Sequence, residues 1–302
     1  MSVSGSESRI NGNLRGIFWM ATTGILFVGV TGMVRHLGTD MSPVQAAFIR
    51  YLFGLVLLIP VFFRINSFSR ERSILGLHAV RGILHGCGVM LWFFAMARIP
   101  IAEVTALGFT SPIFITIGAA LFLGERLHLH RVGAVLVGFG GALVVLQPGF
   151  QAINLGSIAQ LVAAPLFACS FLIAKRLTRT ESSPAIVAYL SIFVTLTLLG
   201  PAMLVWRTPT LVELGWLLAI ASAATAGHYT LMQAFRFADI TVTQPIQFLQ
   251  LVWATLLGLI LFGEQPEIWT WVGGGLIVAS ATYIAHRESR AKRSNPKQAT
   301  ST

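Results

Sequence analysis

Charge is what this sequence has least of. Only 11% of its 302 residues are Asp, Glu, Lys or Arg, against about 25% in a typical soluble domain. So few ionised groups do not cover the surface of a water-soluble protein of this size. Acids are the scarcer sign, 11 against 21 basic residues. No carboxylate stands at the centre of an apolar run, and Glu103 is the only acid meaningfully inside one. Proton-coupled carriers commonly place an acid at that depth, so facilitated diffusion and exchange stay as open as proton coupling. Two cysteines, Cys87 and Cys169, both inside apolar runs, exclude a disulfide framework and read as small packing residues. Metal ligands are equally sparse: His128-Leu-His130 beside Arg126 and Arg131 has no further partner residues and reads as a solvated loop, not a metal site. Gly138-Phe-Gly-Gly141 follows no strand and is not a nucleotide loop. No paired carboxylates, Ser-His couple or His-rich set shares one depth, which disfavours a membrane enzyme. No metal and no cofactor are expected.

What is present is apolar: 55% of the chain, gathered into runs that reach the roughly 20 residues needed to cross a bilayer as a helix. The expected fold is an all-α polytopic membrane protein of ten transmembrane helices, near 14–35, 44–63, 74–97, 101–123, 129–147, 155–176, 184–206, 211–235, 240–262 and 267–286. Turn chemistry separates them, as in Gln147-Pro148-Gly149 and Arg207-Thr208-Pro209. The chain divides into a cytoplasmic N-terminal segment (1–13), a first five-helix unit (14–147), a second (155–286) and a basic tail (287–302) expected to be disordered. The first apolar run is too long for a signal-peptide core and is kept as a span. With the N-terminus inside, sixteen Lys and Arg fall in cytoplasmic segments and three (Arg35, Arg98, Arg207) opposite, while Arg50 and Arg81 lie within spans. This bias places both termini in the cytoplasm. It also explains the net charge of +10 without nucleic acid.

Two copies of one phrase organise the runs. Residues 97–126 and 236–265 align with Glu125 on Glu264, Gly124 on Gly263, Thr116 on Thr255, Phe109 on Phe248 and Ile101 on Ile240. Pro43 matches Pro184, Ser42 matches Ser183 and Arg35 matches Arg176. Such a repeat is to be read before any single residue. Five spans per half is an odd number, so the halves insert with opposite orientation. Inverted repeats around a midplane site are a recurring build of secondary transporters; a duplicated scaffold without transport is the alternative.

The stretches Ala106-Leu-Gly-Phe-Thr-Ser-Pro112 leading to Ala120-Leu-Phe-Leu-Gly-Glu125, and Ile246-Gln-Phe-Leu-Gln-Leu-Val-Trp-Ala254 leading to Leu261-Phe-Gly-Glu264, carry a resemblance. The chain resembles the EamA branch of the drug/metabolite transporter superfamily over nearly everything from Gly16 to His286. The resemblance implies a basket of ten helices around a central cavity, and transport of small organic metabolites. Families similar to this chain include riboflavin importers, S-adenosylmethionine carriers and exporters of amino acids or metallophores.

Polar groups inside spans are the candidates for chemistry, because a charge at membrane depth faces protein or water. Arg50 and Glu103 each lie about 10 Å in from the outer end of their spans, at 1.5 Å per residue; they either pair or share a vestibule. Arg81, about 12 Å from the cytoplasmic end, either snorkels or faces the solute. His85 is one turn deeper on the same face, as a donor beside Arg81 or as a core histidine. Glu103, Ala106, Leu107, Thr110 and Phe114 form one helical stripe. Gln244, Gln247 and Gln250, near Trp253, form an amide arc that should face the bundle, as cavity wall or as interhelical glue. His228 and Tyr229 are placed to complete the wall. Pro112 and Pro245 are expected to bend their helices, and Glu125 and Glu264 to organise gates or loops. Ala134, Gly138, Ala142, Gly275 and Ala279 make small-xxx-small faces for close packing. The expected activity is alternating-access transport of a small amphipathic metabolite, leaning to uptake of a vitamin-like or nucleoside-like compound. Export of amino acids, metallophores or drugs is the alternative. The expected partners are the solute and the lipid bilayer, with a homodimer left open and no nucleic acid.

Overall fold

A computed structural model describes residues 3–38, 40–62, 72–111, 113–115, 118, 129–146, 154–178, 180–237 and 249–294. Among these residues all regular structure is helical. The ten helices of eight residues or more are α1 (Val3–Leu37), α2 (Pro43–Leu57), α3 (Arg72–Met96), α4 (Ile101–Gly108), α5 (Leu129–Leu146), α6 (Leu155–Leu177), α7 (Ser183–Leu204), α8 (Leu211–Phe237), α9 (Leu249–Phe262) and α10 (Ile268–Ser294). Five segments are long and apolar enough to cross a membrane: Arg15–Leu37 of α1 and the whole of α3, α6, α7 and α8. Many large apolar side chains are exposed on the bundle, among them Leu136, Phe139, Val162, Leu196, Ile260 and Trp271, which suits a surface solvated by lipid tails. The polytopic ten-helix fold read from the sequence is the fold observed.

Two ends differ from the sequence reading. α1 begins at Val3, well before residue 14, and α10 continues to Ser294 through the basic stretch expected to be disordered. Once an apolar span nucleates a helix, each added residue gains a hydrogen bond at little further cost. Arg287–Arg293 is rich in Arg, Lys, Glu and Ala, which are good helix formers.

Local chemistry sets the starts of the helices. The Asn154 side chain accepts the Gly156 N–H at 2.8 Å at the start of α6, satisfying one of the orphan donors of a first turn. Replacing Asn154 by alanine is expected to lower unfolding stability by about 1 kcal/mol, read as a drop in the thermal midpoint in detergent. Pro43 and Pro184, equivalent in the repeat, both sit in the first turn of their helices, α2 and α7, where a missing N–H costs nothing.

The duplication is visible in which helices touch. Exchanging α1–α5 with α6–α10 turns the α1–α8 contact into α3–α6, α2–α8 into α3–α7, α1–α9 into α4–α6, and α2–α3 into α7–α8; all of these occur. The pairs α2–α7, α4–α9 and α5–α10 map onto themselves and also occur. A hydrogen bond repeats with them. Arg35 Nη1 donates to the Met96 carbonyl at 3.1 Å, and Lys175 Nζ donates to the Phe235 carbonyl at 3.0 Å. In each half a basic residue ending the first helix thus ties down the last turns of the third.

Candidate functional site

The exchange of halves leaves a central void between α1, α2, α3, α4, α6, α8 and α9, of about 190 Å³. Its walls are largely aromatic: Phe27 from α1, Trp92 and Phe93 from α3, Phe109 just past α4, and Phe167 and Phe171 from α6. The polar groups on the wall are few. Thr31, Arg50, Tyr51, His85, Gln160, His228 and Gln250 supply most of them, and no Asp or Glu lies on the wall among the described residues.

Their immediate partners define what the site offers. The Arg50 guanidinium lies 3.9 Å over the Tyr51 ring, an attraction between cation and ring face. His85 Nδ1 is 3.1 Å from Ser170 Oγ, and its ring meets those of Phe167, His228 and Tyr51 edge-on at 5.0, 5.2 and 6.4 Å. Several buried polar atoms have no hydrogen-bond partner: Tyr51 Oη, Gln160 Oε1, His228 Nδ1 and Gln250 Nε2. A buried polar group left unpaired costs about 1–3 kcal/mol, so such atoms converging on one void mark it as a place for a polar solute or water.

Four residues proposed from the sequence reach this wall: Arg50, His85, His228 and Gln250. Others do not. Glu103 turns to α6 and accepts a hydrogen bond from Ser157 Oγ at 2.5 Å, so it forms no ion pair with Arg50 and is off the wall. The stripe chosen on α4 is the wrong face. Ala106 and Leu107 are fully buried in the helix packing, Thr110 donates to the Leu107 carbonyl at 2.7 Å, and Phe114 is off the wall. It is Val104, Thr105 and Gly108 that face the void. Tyr229, adjacent to His228 and so about 100° around the helix, is partly exposed against Trp19. Trp253 is 48% exposed on the outer surface. Arg81 is buried completely, which rules out snorkelling, yet it lies beneath the wall and not on it. Glu264 lies beyond the end of α9 and pairs with Arg35. Gln244, Pro245, Gln247, Pro112 and Glu125 lie outside the described residues.

An aromatic lining was expected, but from Phe114 and Trp253; the aromatics that form it, together with Tyr51 and Gln160, were not among the candidates. Gln160 carried a signal, as the only amide in its span. Among the described residues no group of three or more His, Cys, Asp or Glu is placed to hold a metal ion.

Ten helices in two exchanged halves around a central, partly open, aromatic and donor-bearing void define a multi-pass membrane carrier of small metabolites. The chain belongs to the EamA-like transporter family, which it matches twice, over residues 14–147 and 154–285. It is 31% identical over 281 residues to a riboflavin transporter of Rhizobium johnstonii, covering 92% of this chain and 93% of that protein. It is 28% identical over 278 residues to an S-adenosylmethionine uptake transporter of Rickettsia bellii, covering 91% and 95%. A pseudopaline exporter of Pseudomonas aeruginosa is 26% identical over 275 residues, covering 89% and 95%. A solved crystal structure with 18% identity superposes with a TM-score of 0.62, over 95% of this chain and 99% of that one, and shares the fold.

Proposed function

We propose that the protein takes up a planar heteroaromatic, acceptor-rich metabolite of the riboflavin type across the cytoplasmic membrane by alternating access, with both termini inside. The observation that carries this reading is the pairing of aromatic walls with hydrogen-bond donors. Arg50, Tyr51 Oη and Gln250 Nε2 stand on a wall that holds no carboxylate among the described residues. An isoalloxazine edge presents carbonyl and imine acceptors, and its faces stack on aromatic rings. Gln160 Oε1, unpaired on the same wall, accepts from an imide N–H or a ribityl hydroxyl. S-adenosylmethionine could set its carboxylate against Arg50, but among the described residues the wall holds no acid for its sulfonium and ammonium, and its net positive charge disfavours it there. At about 190 Å³ the void is below the roughly 300 Å³ that ordinarily surrounds a drug-sized ligand, so the halves must part to admit a flavin. The inverted repeat supplies that motion.

The test is flux of labelled riboflavin into proteoliposomes. Saturable uptake that is not displaced by an excess of S-adenosylmethionine is the expected result; displacement by that compound would favour the nucleoside reading. Replacing Gln250 by leucine removes one donor and is expected to weaken the apparent affinity about tenfold, the equivalent of one hydrogen bond of about 1.4 kcal/mol. Reporter fusions at both ends check the orientation: a periplasmic signal from either would refute it.

A further inference from the structure

Arg81 is left unused by the reading above, and among the described residues it is the largest side chain with no exposure at all. It lies one turn from His85 toward the start of α3, just beneath the cavity wall. Its Nη1 donates to the Ile186 carbonyl of α7 at 3.0 Å, while Nε and Nη2 have no partner. Tyr51 Oη and both ring nitrogens of His78 are also buried without partners, and His78 is stacked on Tyr189 at 4.2 Å. Arg50, 6% exposed, lies over the Tyr51 ring at 3.9 Å. The charges of Arg50 and Arg81 both bear on His85 and His228, and Tyr51 is within electrostatic reach of Arg81.

Glu103 is engaged by Ser157, Glu264 by Arg35 and Glu213 by Arg207. Two guanidiniums are thus buried near one phenol, with five donor N–H groups on each. Burying an uncompensated charge costs several kcal/mol. Water would satisfy the donors but not the charge. An anion satisfies both, and the planar guanidinium fork suits an oxyanion.

We propose that Arg50, Tyr51 and Arg81 form an anion site at the floor of the cavity, taking a small anionic group. Its source is either a free inorganic anion bound beside the solute or a carboxylate or phosphate on the solute itself. The inference rests on the cavity as the transport site, not on the flavin assignment.

The experiment uses the purified full-length chain in detergent with no flavin present. The thermal midpoint is compared in sodium chloride and sodium gluconate at equal ionic strength; gluconate carries its carboxylate on a five-hydroxyl chain that is costly to desolvate against aromatic walls, and so serves as the excluded anion. In gluconate, benzoate is compared with its neutral isostere benzamide. A bound anion raises the midpoint by mass action. The expected result is a rise of about 2 °C or more with chloride or with benzoate. A chloride effect assigns a free ion; an effect of benzoate alone assigns the solute's own anionic group. In Arg81→Gln the anion's apparent affinity should fall at least tenfold. Should that variant fail to fold, Tyr51→Phe keeps both charges, removes one donor and should weaken the same anion severalfold. Equal midpoints in chloride and gluconate together with equal effects of benzoate and benzamide would overturn the site, as would an undiminished shift in the variants. Absence of riboflavin flux bears on the solute alone and leaves this result standing.

Discussion

Leucine at Gly141 is expected to yield no monodisperse protein on size exclusion after detergent extraction, and alanine there a folded but weakened one. The cause is a backbone-to-backbone crossing of α5 and α10. A Cβ built on Gly141 would lie 2.7 Å from the Gly273 carbonyl and 3.1 Å from Ile277 N. One on Gly273 would lie 2.5 Å from the Gly141 carbonyl and 3.0 Å from Val145 N. Main-chain atoms cannot rotate aside as a flexible side chain can, so the helices must separate. Overpacking of this kind costs about 1–3 kcal/mol for small additions, the range expected for Gly141→Ala. The isobutyl group of leucine pushes well past it, against a total stability of only about 5–15 kcal/mol. The control lies on the same two helices. Gly140 and Gly275 have no neighbouring atom within 4 Å of a built Cβ, so alanine at either should cost nothing and should raise stability by up to about 1 kcal/mol through helix propensity. Equal losses at Gly141 and Gly140 would refute the crossing.

That contrast shows where the sequence could be read and where it could not. Small-xxx-small spacing on α5 and α10 correctly indicated close packing, yet it picked Gly275, which faces open space, and passed over Gly273, which touches the partner backbone. Spacing identifies a face without saying which residue meets the other helix. The fold itself was legible because the bilayer imposes it: apolar runs of sufficient length, short polar connections and a duplication with five runs per half leave few alternatives. Of the site, the residues that could be read were those expensive to bury. Arg50, His85, His228 and Gln250 stood out as polar groups in apolar runs, and they face the void. Trp92, Phe167 and Phe171 did not stand out, because an aromatic facing a cavity and one facing lipid are alike in sequence. The α4 stripe failed for a related reason. Its small residues are the ones that allow neighbouring helices to approach, so Ala106 is buried in packing while Gly108 opens onto the void.

Replacing Glu264 by leucine is expected to lower unfolding stability by about 3 kcal/mol, at the lower end of the cost of breaking a buried ion pair. It should also abolish most transport, because one carboxylate holds three helix ends. α9 ends at Phe262 and Gly263 takes a left-handed φ of +62°, open to glycine with little penalty. The Glu264 N–H then returns to the Gly258 carbonyl at 3.1 Å, a glycine-closed helix end that fixes where the side chain points. Glu264 Oε1 lies 3.0 Å from Arg35 Nη2 as an ion pair, and Oε2 accepts the Ile101 N–H at 2.9 Å. Arg35 in turn holds the Met96 carbonyl. The carboxylate thus joins α9 of the second half to α1, to α3 through Arg35, and to the first turn of α4, whose free N–H groups favour a negative charge. With its side chain 10% exposed, Glu264 is screened too little for this to be a surface bridge worth a few tenths of a kcal/mol. The geometry also predicts which repair fails. Exchanging the charges, Arg35→Glu with Glu264→Arg, restores the ion pair but sets a donor against the Ile101 N–H, so thermal midpoint and flux should stay low. Glu264→Gln keeps an acceptor for Ile101 and should retain more stability than the exchange, measured as thermal midpoints side by side. Full recovery in the charge exchange would show that the ion pair alone matters and that the Ile101 contact does not.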